Sequence, residues 1–183
     1  MFKLIAFVVC SACLIFVSRA SLRVPRSHGF YRFFAMECIV VLVLLNVDRW
    51  FDAPFSLRQM VSWFFLAVSI VLVTHGFRLL HVVGRPDELR GDEVPLLGIE
   101  KTTALVTVGA YKYIRHPIYG SAFYGTLGVF LKDPSWTGII LTLAAITLLV
   151  MTAKVEEAEC IRYFGPAYRA YMRRTKMFVP FLF

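Results

Sequence analysis

Tyr111, Arg115, His116 and Tyr119 gather within nine residues, and Pro117 stands among them at the head of an apolar stretch. Proline at a helix start leaves the backbone N–H groups of the first turn free. Such a terminus accepts an anion, for instance the carboxylate of a cofactor. Arg115 could add a bidentate, charge-assisted clamp. The same residue types also form the aromatic and basic belts common where a span leaves the membrane.

A second cluster is Lys154-Val-Glu-Glu-Ala-Glu159. Adjacent positions on a helix point about 100° apart, so one of Glu156 and Glu157 can face a cavity while the other pairs with a cation. A carboxylate at the edge of a membrane span is a functional hypothesis by default, able to bind an ammonium or ribose hydroxyls. Solvation of a helix end is the plainer reading. A third cluster is Phe164-Gly-Pro-Ala-Tyr-Arg-Ala-Tyr-Met-Arg-Arg174, followed by Phe178-Val-Pro-Phe-Leu-Phe183. It reads either as an amphipathic interfacial helix with snorkelling arginines or as a cap over a pocket.

The elements that must position these groups are apolar. Hydrophobic residues make up 58% of the 183-residue chain and charged residues only 17%, too few for the surface of a soluble domain of this size. Lipid can solvate outward apolar faces, so an all-α membrane bundle forming a single domain is expected. Five apolar runs serve as spans, at about 4–18, 30–47, 60–77, 117–131 and 136–155. The last has the roughly twenty residues that cross a bilayer core, whereas 117–131 is short and pairs with it as a hairpin around Lys132-Asp133-Pro134. The charge-, Pro- and Gly-rich stretch from Val83 to Lys101 reads as irregular loop. Gly165-Pro166 reads as a helix stop and a new start, predicting a short helix over 166–174.

The net charge of +8 does not form a stripe on a polar segment, which argues against nucleic acid. With five spans, sixteen of the 20 Lys and Arg residues fall on one side, in loops 19–32 and 78–116 and the tail 154–176, Arg90 among them. Only Lys3, Arg49, Arg58 and Lys132 fall on the other. The positive-inside rule then predicts an external N-terminus and a cytoplasmic C-terminus and site.

The ordered set Gly109-x-Tyr111, Arg115-His-Pro-x-Tyr119, Glu156-Glu157, Phe164-Gly-x-x-Tyr168-x-x-Tyr171 and Pro180 resembles the isoprenylcysteine carboxyl methyltransferase family. Phospholipid N-methyltransferases share much of the pattern. The resemblance covers about Leu105 to Pro180; upstream only the span count agrees. It implies an integral membrane methyltransferase that uses S-adenosyl-L-methionine and acts on a lipid or lipidated acceptor, such as a prenylcysteine-type or other lipid carboxylate. It carries a cofactor role onto Tyr111, Arg115, His116, Pro117, Tyr119, Glu156 and Glu157. By the same match Arg174, with Arg173 as the alternate register and Tyr171 beside it, faces the acceptor, and Arg174, Glu156 and His116 are the catalytic candidates. Cys160 departs from the pattern, which usually has a large aliphatic there. Other readings stay open: a phospholipid-amine N-methyltransferase, an NADPH-dependent sterol-type reductase sharing the Arg-His-Pro-x-Tyr segment, and a non-catalytic membrane protein.

Several residues carry less. Glu37, in mid-span, can be protonated, pair with an arginine, or line an acceptor tunnel. Cys10 and Cys13 form a CxxC inside an apolar helix and are expected to be small, buried, inert thiols. His75 and His81 are six apart and do not share a helical face. Gly120, Gly125 and Gly128 suit close helix packing.

Overall fold

The computed structural model describes residues 1–87 and 95–182; Arg90 and Phe183 lie outside the described residues, as does the middle of the charged loop. It is all-helical among the described residues, with α1 over Phe2–Leu22, α2 over His28–Asn46, α3 over Leu57–Val82, α4 over Pro117–Phe130, α5 over Trp136–Phe164 and α6 over Pro166–Met172. Short 3₁₀ turns occupy Val47–Arg49, Gly98–Glu100 and Gly109–Lys112. Three helices start on a serine whose side chain accepts a first-turn N–H: Ser27 from Phe30, Ser56 from Gln59 and Ser135 from Gly138. Each cap satisfies a donor that lipid could not.

Four helices are long and apolar enough to cross a membrane: Phe2–Leu22, the stretch His28–Arg49, Leu57–Val82 and Trp136–Phe164. α1 and α3 outrun their apolar runs at both ends, and α5 outruns its run at the C-terminal end, because polar and charged residues carry those turns. α4 has 14 residues, or about 21 Å, against roughly 30 Å of hydrocarbon core. Its exposed end would leave carbonyls unpaired, and α3 supplies the missing donors. Arg58 donates to the carbonyls of Leu131 and Lys132, and Gln59 Nε2 to that of Lys132. Lys132 itself is fully buried, its Nζ 3.0 Å from Gln59 Oε1 and 3.4 Å from the centre of the Trp63 ring.

α2 packs along α5 and α3 along α4, with α1 laid on α2. Cys10 and Cys13 sit on the outer face of α1 and are exposed, contrary to the buried thiols expected, because α1 has only one flank covered. Gly165, at φ +60°, turns the chain from α5 into α6, as Gly-Pro predicts. α6 ends at Met172, two residues short of the expected limit. The tail then runs back beneath α4. Arg115 N donates to the Lys176 carbonyl at 2.7 Å and His116 N to that of Met177 at 3.3 Å, while Phe178 is buried in a cluster with Tyr119, Leu149 and Ala153.

At Gly128 the α3–α4 interface is tightest. A β-carbon there would stand 2.8 Å from Leu66 Cγ and 3.1 Å from the Leu66 backbone nitrogen, and Ser62 Oγ donates to the Gly128 carbonyl at 2.7 Å. Gly128→Val therefore forces the two backbones apart. It is expected to destabilise the detergent-solubilised protein by about 1–3 kcal/mol, read as a lowered melting temperature.

Candidate functional site

A cavity of about 520 Å³ lies between α2, α3 and α4, roofed by the segments 97–100 and 111–116. Its volume is that of a pocket for one cofactor-sized molecule. One end is polar, with Arg32, Glu100, Tyr111, Arg115, His116 and Glu156. The other is an apolar arm that includes Met36, Ile39, Val73 and Val129. Ser121 and Thr126, also on the wall, turn their hydroxyls onto the α4 carbonyls of Ile118 and Ala122 and so offer that arm no donor. α2 and α3 flank the cavity with no extensive packing on each other among the described residues.

The polar end is built on the first turn of α4. His116 precedes Pro117 and is buried; its ring stacks on Tyr119, centroids 5.6 Å apart, and meets the edge of Phe178. Its Nε2 lies 3.4 Å from Glu157 Oε1 and its Nδ1 3.9 Å from Glu156 Oε2. Arg115 Nε donates to the same Glu157 Oε1 at 2.6 Å, and Arg115 Nη1 donates to the carbonyls of Met172 and Thr175. Arg115 thus joins α5 to the end of α6 through its Nε and Nη1. Gly109 makes the preceding turn possible, since at φ +59° a β-carbon would stand 2.5 Å from His75 Nε2. Tyr111 is fixed through its carbonyl, which accepts from Tyr171 Oη at 2.7 Å. Burial, with the Glu156 charge adding to it, pushes the Tyr111 phenol above its usual range and keeps it protonated.

The two glutamates have separated. Glu157 is buried behind the wall in its pair with Arg115 and His116. Glu156 lines the cavity, and its Oε2 is buried without a hydrogen-bond partner among the described residues. Of the other sequence candidates, Tyr111, Arg115, His116 and Tyr119 line the cavity. Pro117 and Tyr171 are buried outside its lining, and Arg173 and Arg174 are exposed after α6. Glu37 is also outside the lining, accepting from Ser11 Oγ of α1 at 2.8 Å.

Sequence reasoning did not single out a further group of charges at the cavity. His28 is fully buried between two carboxylates, Nδ1 2.5 Å from Glu159 Oε2 and Nε2 3.3 Å from Glu100 Oε2. Arg32 pairs with Glu100, which also accepts from Leu97 N at 2.8 Å. Burial would raise the Glu100 pKa, but the His28 hydrogen bond and the Arg32 charge win and hold it below the ordinary carboxylate value. A signal existed for half of this group. His28 and Arg32 are four apart on one helical face at the head of an apolar run.

Comparison with known proteins gives the family. The family model for phospholipid methyltransferases matches residues 57–167, more than half of the chain, and the protein belongs to that family. The match starts at α3, so the likeness reaches further upstream than the motifs from Leu105 onward. Relatives include a methanethiol S-methyltransferase of Pseudomonas deceptionensis, 29% identical over 67% of this chain and 43% of its own length. The human protein-S-isoprenylcysteine O-methyltransferase is 34% identical over 44% of this chain and 29% of its own length. The nickel-cobalt-cadmium resistance protein NccN of Alcaligenes xylosoxydans xylosoxydans is 28% identical over 79% and 61%. The chain thus spans less than two thirds of the length of each of these relatives. No solved structure matches it.

Removing one partner of a buried ion pair leaves the other charge unpaired. Glu157→Ala is expected to cost about 3–5 kcal/mol, and Arg115→Ala combined with it little more, in thermal or denaturant melts of the purified protein. The lowered Glu100 pKa adds stability that is present above the ordinary carboxylate value of 4.5 and is lost as pH falls through the folded-state value. Melting temperature followed from pH 7 downward should fall in that acid range, and Glu100→Gln should flatten the fall.

Proposed function

We propose that the protein is an S-adenosyl-L-methionine-dependent methyltransferase for a membrane-embedded or lipidated acceptor. The observation that carries this reading is Glu156: a half-buried carboxylate whose buried Oε2 has no hydrogen-bond partner among the described residues, set on the wall of a cofactor-sized cavity beside the stacked rings of His116 and Tyr119. The residues present fit a cation bearing hydroxyls and an ammonium. A carboxylate can accept from either, and aromatic faces attract positive charge. When bound, that cofactor supplies a methyl carbon on a cationic sulfur. The family membership supports the same class.

In this reading Glu156, Tyr111, His116 and Tyr119 hold the cofactor side, while Arg115 and Glu157 act behind them. Glu157 holds the ring of His116 and Arg115 ties the tail segment under it, so the wall keeps its shape as the cavity fills. The apolar arm excludes water and takes the hydrocarbon next to the acceptor's reacting group, which enters from the bilayer. A carboxylate acceptor, of the prenylcysteine type or another lipid acid, is already a nucleophile and needs no base. A lipid amine must lose a proton, and Glu156 and His116 are bases on the cavity wall that could take it. Arg173 and Arg174, exposed beyond α6, meet headgroups at the membrane surface in this arrangement. The Lys and Arg bias supports a cytoplasmic site and an external N-terminus.

Calorimetric titration of the detergent-purified protein with S-adenosylhomocysteine and, separately, NADPH tests the assignment. The first should bind and the second should not. Glu156→Gln should weaken the first by about 10–100-fold at an unchanged melting temperature. An absence of S-adenosylhomocysteine binding, or a preference for NADPH, overturns the reading.

A further inference from the structure

Arg32 has no part in the chemistry described so far, and it lies upstream of the residues that match the family. It stands one turn inside α2, where a charge is costly unless it is used. The side chain runs back towards the N-terminal end of the helix over Gly29. Its Nη2 comes 3.4 Å from where a β-carbon of that residue would stand, at the edge of ordinary contact, while Ser21 is what a β-carbon there would strike. Nη1 is taken by Glu100. Nη2 is buried and has no hydrogen-bond partner among the described residues, although Arg32 lines the cavity. Leaving a buried charged donor unmet costs more than an ordinary hydrogen bond returns.

Two other arginines could meet an anion here, and both are less well placed. Arg115 has its Nε and Nη1 on Glu157 and two carbonyls. Arg174 is exposed outside the cavity. Among the described residues that line the cavity, Arg32 is the cation with a buried donor left without a hydrogen bond, and Glu156 Oε2 is a buried acceptor in the same state. One unsatisfied positive atom and one unsatisfied negative atom facing a single cavity complement a zwitterion, or an anion bound beside a cation. The guanidinium sits at the junction of the polar end and the apolar arm. A carboxylate there could belong to the amino-acid end of the cofactor or to the head of an acid whose tail fills the arm.

We infer that Arg32 is a carboxylate-binding residue of the cavity, one that recognises either the amino-acid end of the cofactor or the head of an acidic acceptor. The inference rests on the methyltransferase reading for the first source and not for the second.

The test is direct binding to the purified full chain in nanodiscs, comparing Arg32→Gln and Arg32→Lys with the unaltered protein. Three probes are used: S-adenosylhomocysteine, 5′-methylthioadenosine, which has the same adenosine but lacks the amino-acid end, and oleate. If the carboxylate is the cofactor's, Arg32→Gln weakens S-adenosylhomocysteine about tenfold or more and leaves 5′-methylthioadenosine unchanged. If it is the acceptor's, oleate loses the same factor and both nucleosides are unchanged. In either case Arg32→Lys, which keeps the charge, recovers part of the loss. Equal binding of all three probes by Arg32→Gln and the unaltered protein overturns the inference. So does a parallel loss of 5′-methylthioadenosine, which would mean that the substitution deforms the pocket. S-Adenosylhomocysteine failing to bind even the unaltered protein overturns the methyltransferase reading alone, and the oleate arm still decides Arg32. Binding of neither by the unaltered protein overturns both.

Discussion

The buried ion pair between Arg115 and Glu157 holds the site together. It links three parts of the chain that no helix connects: the turn before α4, the C-terminal part of α5, and the segment after α6. Its low-dielectric setting makes the attraction strong only because both partners have further hydrogen bonds, Arg115 to two carbonyls and Glu157 to His116. From this pair follow the orientation of the His116 ring, its stack on Tyr119, and the return of the tail that places Phe178 under α4. The cavity is what remains between these parts and α2 and α3.

A membrane bundle cannot gain stability by burying apolar faces against lipid, which is equally apolar. The interfaces here rely instead on close approach and on side chains that complete helix ends. Gly128 lets α4 come within backbone contact of α3, and Arg58, Gln59 and Lys132 close the end of a helix too short for the bilayer. Keeping α4 short has a functional consequence. Its start, with His116 and Tyr119, reaches the polar end of the cavity, while Arg58 and Gln59 of α3 close its other end.

α2 precedes the matched residues, yet it contributes Arg32 to the polar end and Met36 and Ile39 to the apolar arm, with His28 in the buried charge cluster beside them. Enzymes that share a cofactor chemistry can differ in the element that recognises the other reactant, and α2 has both the charge and the apolar surface for that task. The relatives' printed names, for a small thiol and for a prenylated cysteine, show how far acceptors diverge within such matches.

The helices and their order were legible from apolar runs and from Gly165-Pro166, because periodicity, span length and the conformations of glycine and proline are local properties. The chemistry-bearing positions from Tyr111 to Tyr119 and the Glu156-Glu157 pair were legible too, since their spacing along a chain survives any packing. Sequence alone left open which glutamate faces the cavity, and it gave no hint that Glu100 meets His28 and Arg32 across about seventy residues of chain. Helical spacing fixes how side chains lie about their own axis, about 100° apart for neighbours. It does not fix how that axis is rotated against the others. The rotation of α5 against α2 and α4 put Glu156 on the wall and Glu157 behind it, and the fold of the 97–100 segment onto α2 set Arg32 beside Glu100.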